Sequence, residues 1–164
     1  MKTIYTILLS IFLTSCGIYS FTGASIPSEA KTVSVQYFNN KAATVQPTLS
    51  QVFTERLKDM FLEQTNLTLS ENEGDLAFSG HISKYQIKPI AIKANETAGK
   101  NRLTIAIKVK YDNSLNTEDS FEKTFSRYRD YESSQNISDI EDTLIEEITN
   151  ELAEDVFNKA FVNW

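Results

Sequence analysis

The segment "SDIEDTLIEEITNELAEDVFNKAF" near the C-terminus constrains the fold more than any other stretch. Ile140, Leu144, Ile148, Leu152, Val156 and Ala160 recur every fourth residue, and Ile145 and Phe157 widen the stripe. That spacing predicts a long helix with one apolar face. Ser138 with Glu141 three residues on reads as its capping box. A second helix is predicted over "PTLSQVFTERLKDMFLEQ", where Leu49, Val52, Phe53, Leu57, Met60 and Phe61 share a face and Pro47 suits the first turn. Helices apolar on one side only must bury that side, and two of them can cover one face of a sheet.

The strands supply that sheet. "KTVSVQYFNN" alternates Val33, Val35 and Tyr37 and closes on Asn39-Asn40, a strand ending in a turn. Leu67 to Leu69 make a short strand, followed by a polar turn at Asn72 to Asp75. "DLAFSGHISKYQIKPI" starts with Leu76, Phe78 and Ile82 in phase and then shifts to Tyr85 and Ile87, so a bulge or sharp twist is expected beside Gly80. "NRLTIAIKVKY" puts Leu103, Ile105, Ile107, Val109 and Tyr111 on one face and Arg102, Thr104, Ala106, Lys108 and Lys110 on the other. "FEKTFSRYRDY" alternates less cleanly, around Phe121 and Phe125. The order β-α-β-β-β-β-α predicts an α/β (α+β) two-layer sandwich. Two amphipathic helices would pack on one face of a mixed, mainly antiparallel sheet of about four strands. The other face, bearing Lys108 and Lys110, is left to solvent or a partner.

Charge divides along the chain. Residues 81–131 hold ten Lys/Arg against six acids, and residues 132–164 hold nine acids against Lys159 alone. The overall −6 argues against a general nucleic-acid binder. For the acids of the last helix two readings stand: a solvated surface, or a contact for a partner's basic patch. His81 is the only histidine and Cys16 the only cysteine, so the sequence offers no zinc spacing and no nucleophilic triad. No phosphate-cradling glycine loop occurs either. These features predict a protein that is not an enzyme, without cofactor or metal, and His81 reads as a strand residue.

The N-terminus "MKTIYTILLSIFLTSC" has a positive start at Lys2 and an apolar run from Ile4 to Leu13, too short for a permanent span of roughly 20 apolar residues. It reads as a secretory signal. Leu13-Thr14-Ser15-Cys16 resembles the bacterial lipobox, in which the cysteine thiol carries the lipid and becomes residue one of the mature protein. Several acyl chains hold a membrane far better than one. Residues 1–15 are therefore expected to be a lipoprotein signal peptide, 16–30 a lipidated tether and 31–164 a single sandwich domain. Gly17, Ile18, Tyr19 and Ser20 follow the cysteine without an acid, which favours the outer membrane.

Several stretches together resemble the lipopolysaccharide-assembly lipoprotein (LptE) family. They are "CGIYSFTGASIP", "TVSVQYF", "LSQVFTERLKDMF", "GDLAFSGHISKYQIKP", "NRLTIAIKVKY", "FEKTFSRYRDY" and "EEITNELAEDVFNKAFVNW", spanning residues 16–164. The resemblance implies a lipoprotein seated as a plug in an outer-membrane β-barrel of LptD type. There it would help the barrel assemble and pass lipopolysaccharide to the cell surface. It also implies glycolipid contacts through basic residues at one end of the sheet, here Lys93, Lys100 and Arg102 around "KANETAGKNR", with Arg127 and Arg129 second. Each of these can equally be a solubilising charge or an edge-strand guard. Family members carry a basic residue just ahead of the last helix, and "ESSQNISDIE" has none. A periplasm-facing lipoprotein binding a lipid or protein for another envelope machine is the alternative reading.

Overall fold

A computed structural model of the chain describes residues 26–90 and 99–162. Cys16, the predicted signal and Lys93 lie outside the described residues. The elements run β1 (Thr32–Val35), β2 (Asn39–Asn40), α1 (Leu49–Gln64), β3 (Thr68–Leu69), β4 (Leu76–Ile90), β5 (Lys100–Asn113), a 3-10 turn (Thr117–Asp119), β6 (Phe121–Glu132) and α2 (Ile137–Phe161).

The clean alternation of β5 makes it the spine of the sheet. β4 and β6 flank it, both antiparallel. Leu103, Ile105, Ile107, Val109 and Tyr111 are buried under the helices, as their period predicts. The sheet order is β3-β1-β4-β5-β6, with β2 also on β4. Six strands stand where about four were expected, and the sheet is mixed rather than mainly antiparallel. Three of its pairings, β1 with β3, β1 with β4 and β2 with β4, are parallel. Against the five strands of the predicted element order, the added one is Asn39-Asn40, expected as a turn. Those residues pair with His81 and Ile82, so a partner far along the chain overrides the turn preference of asparagine.

β1 and β2 are two pieces of one line along β4, interrupted where Phe38 leaves the sheet for the core. The Phe38 amide donates to Thr54 Oγ1 of α1 at 3.1 Å, and its ring stands edge-on to Phe53 at 5.0 Å. Gly80 makes room for this excursion. Its φ is +155°, and a Cβ there would lie 2.0 Å from the Lys108 carbonyl oxygen and 2.8 Å from the Phe38 ring. The register shift of β4 comes slightly later than expected, between Ile82 and Lys84, and it accounts for the change of phase from Ile82 to Tyr85.

The connection from β3 to β4 crosses over β1. Gly74 lies against the β1 backbone, where a Cβ would sit 2.9 Å from the Ser34 amide nitrogen. Asp75 then ties the crossing down, accepting from the amides of Lys31 and Thr32 and from the Thr32 hydroxyl. Those three bonds hold its carboxyl below the usual aspartate pKa.

Both helix starts differ from expectation. α1 begins at Leu49, with Pro47 before it, and the Gln46 side chain accepts from the amides of Thr48 and Leu49. α2 is capped by Asn136, whose side chain accepts from Ser138 N, so Ser138 already lies inside the helix. Glu141 is turned to the Tyr85 hydroxyl instead of closing a capping box.

Gly80→Ala should therefore cost about 3 kcal/mol or more, since the methyl group overlaps backbone and the φ is one that L side chains rarely adopt. Urea denaturation of the two proteins measures it.

Candidate functional site: the basic arm of the open sheet face

Alternation and register sort the charged residues of β4, β5 and β6 onto two faces. Beyond the bulge, Tyr85 pairs with Ile105 on the helix side, which turns Lys84, Gln86 and Lys88 to the open side. There Lys88 lies beside Arg102 and Gln86 beside Thr104. Across the next ladder Arg102 faces Asp130 and Lys100 faces Glu132. One end of the open face thus gathers Lys84, Lys88, Lys100 and Arg102 next to the β4–β5 connection. The arm rises to the limit of helix cover, where Ile87 is 38% exposed although it lies on the helix side.

These cations are not equivalent. Arg102 forms a fork with Asp130 at 2.7 and 2.9 Å, and its guanidinium carbon lies 3.7 Å above the Tyr128 ring. The pair raises the arginine pKa and lowers that of Asp130. Lys100 is 3.6 Å from Glu132. Further along, Lys108 pairs with Glu122 and Lys110 with Asp112. Lys84 and Lys88 have no ion pair among the described residues. Sequence reasoning passed over these two, although the phase change from Ile82 to Tyr85 was the signal that they join the face of Arg102.

Arg127 and Arg129 lie on the other side of the sheet. They share the helix-facing phase of Phe121 and Phe125, and they meet α2. Arg127 forks onto Asp155 at 2.6 and 2.5 Å. Arg129 reaches Glu147 at 2.7 Å and Glu151 at 2.5 Å. Hydrogen bonding to those two carboxylates pushes the Arg129 pKa up, and Arg129 in turn lowers that of Glu151. The basic patch that meets the acids of α2 is thus the chain's own β6. The structure does not bring Arg127 and Arg129 together with Lys100 and Arg102; Lys93 lies outside the described residues.

His81 sits on the open face with Asn39 and Lys108 as its cross-strand neighbours. Among the described residues no group of three or more His, Cys, Asp or Glu could hold a metal ion. No described helix is long and apolar enough to cross a membrane. The arrangement can bind anions through lysines on a rigid ladder.

Two helices on one face of a mixed sheet, with the other face open and polar, define a class of small α+β domains known from bacterial structures. The minor lipoprotein from Acinetobacter baumannii is similar at 14% identity and a TM-score of 0.52, over 79% of this chain and 91% of that one. The hypothetical protein CT253 from Chlamydia trachomatis is similar at 7% identity and a TM-score of 0.55, over 82% and 99%. At such identities the likeness is one of fold. Among curated proteins no sequence matches this one. The family described as LptE, lipopolysaccharide assembly, matches residues 30–160, and the chain belongs to that family. Its role is accordingly an LptE-type one in lipopolysaccharide assembly at the cell envelope.

The β6–α2 arginines should behave as structural ties. Arg129→Gln is expected to cost about 1 kcal/mol in urea denaturation, less in high salt. Glu151 has a lowered folded pKa, so its share is present above the ordinary glutamate value and disappears as pH falls through the folded one. The gap between the two proteins should close below about pH 4.

Proposed function

We propose that this chain is the lipid-anchored, non-catalytic subunit of an outer-membrane translocon. It would sit within a β-barrel of LptD type, assist its assembly, and offer the basic arm to lipopolysaccharide on its way to the cell surface. Cys16 would carry the anchor, and residues 17–30 would link it to the folded domain.

The observation that carries this reading is the polarity of both broad faces. The lumen of a large outer-membrane barrel is polar, and a guest domain must be polar on every side it turns to the wall. Here the sheet is covered by helices on one side and by a ladder of ion pairs on the other. Among the described residues, large exposed apolar side chains are scattered singly along the sequence, at Tyr37, Val45, Leu62, Ile87, Leu115 and Tyr128. Phosphorylated glycolipid suits Lys84, Lys88, Lys100 and Arg102, which hold positive charge on a rigid antiparallel ladder. A carrier that swallows lipid chains would need an apolar cavity. The space between the layers is instead filled by Phe38, Phe53, Phe61, Phe78, Tyr111 and Phe161, all buried. The groove of about 670 Å³ beside β1 and β3 mixes polar side chains, among them Ser34, Gln36, Lys58 and Asn72, with Val35, Leu69 and Ala77.

A C-terminally tagged chain, purified from detergent-solubilised envelopes, should bring down a large β-barrel protein in equal amount. Recovery of the chain alone, with barrels assembling normally in its absence, would overturn the reading.

A further inference from the structure

The outer surface of the helix layer carries a second feature, remote from the basic arm. Between α1 and α2 runs a groove of about 470 Å³, lined by Val52, Arg56 and Asp59 of α1 and by Asp142, Ile145 and Glu146 of α2, among others. Its floor is apolar. Ile145 is buried, Val52 half-buried, and the hydroxyl of the adjoining Thr149 is spent on the carbonyls of Ile145 and Glu146. Its rim is acidic: Asp59, Asp142 and Glu146 are exposed and have no ion pair among the described residues. Glu55, also on the rim, is held by Lys58 at 2.9 Å.

One cation lies among these acids. Arg56 bonds outward, through Nη1 to Glu63 at 3.3 Å, and its Nε is buried without an acceptor.

The groove therefore asks for two things at once: an aliphatic group for the floor and positive charge for the rim. A metal ion or a polyamine brings only charge, and a lipid chain only apolar surface. A polypeptide with an aliphatic side chain flanked by Lys or Arg brings both. We propose that the α1–α2 groove docks such a basic, amphipathic segment of a partner protein. Opposite charge on rim and ligand speeds the encounter and selects the partner. The proposal goes beyond the lipopolysaccharide-assembly reading and stands apart from it, since it concerns the opposite face of the domain and needs neither barrel nor glycolipid.

The test uses the full chain in detergent micelles and two acetylated probe peptides of matched pattern, one of Leu and Lys, the other of Leu and Glu. NMR should show the Leu/Lys peptide shifting the amides of Val52, Arg56 and Ile145. The double variant Asp142→Lys/Glu146→Lys should bind it at least about tenfold more weakly with an unchanged melting temperature, because both residues are exposed. Three outcomes overturn the proposal. They are equal binding of the Leu/Glu peptide, shifts confined to other surfaces, and self-association of the chain with the Lys84–Lys88 face of a second copy in the groove.

Discussion

Both helices meet the sheet through one aromatic cluster, and the two-layer architecture depends on it. Phe61 of α1 packs tilted against Phe78 of β4 at 4.6 Å, and Phe78 stacks in turn at 4.7 Å on Tyr111 of β5. Phe157 and Phe161 of α2 close over Phe61 at 6.0 and 5.9 Å. Burial of these rings is the main force holding the layers together, and their offset and edge-on packing adds to it. The cluster also sets a chemical boundary. Burial pushes the Tyr111 hydroxyl up to about 12, helped by nearby Asp119, so this phenol stays neutral. With the helix-facing side given over to the core, recognition is left to the open face and to the outer surface of the helices.

The basic residues divide along the same boundary. Alternation sends Arg127 and Arg129 toward the helix layer, where carboxylates of α2 hold them. Lys84, Lys88, Lys100 and Arg102 point the other way. Arg102 is stiffened by Asp130 and by the Tyr128 ring, so it offers an ordered charge, whereas the two lysines of β4 have no ion pair among the described residues. The resulting surface is bipolar, cationic at one end of the sheet face and acidic over the helices. Simple counting of charge along the chain had shown both halves of this pattern.

Where periodicity is long, the fold was legible in the sequence. The every-fourth-residue stripe of α2, the alternation of β5 and the phase change in β4 each correspond to a structural feature at nearly the expected place. The misreadings arose where a distant or slightly displaced partner decides. Asn39-Asn40 becomes a strand because His81 and Ile82 lie alongside, and Asn136 caps α2 ahead of Ser138, leaving Glu141 for Tyr85. For the candidate site, Lys100 and Arg102 were chosen by their place beside the hairpin, and the register puts both on the open face. Arg127 and Arg129 were grouped with them by charge alone, although their phase with Phe121 and Phe125 already assigned them to the helix side. The acids of α2, read as either solvated or awaiting a partner, find much of their positive charge on β6. Family membership is carried by the whole pattern, with no single motif, so it emerges only over residues 30–160 taken together.

The central claim is that the cations of β6 hold the fold while those of the β4–β5 arm meet glycolipid. It is tested most directly by comparing two double variants, Lys84→Glu/Lys88→Glu and Arg127→Gln/Arg129→Gln, for lipopolysaccharide binding and melting temperature side by side. The account predicts that the lysine variant loses about tenfold or more in binding at an unchanged melting temperature, while the arginine variant melts several degrees lower and binds within about twofold of the parent. A lysine variant that binds normally, or an arginine variant that loses binding while keeping its stability, would contradict it.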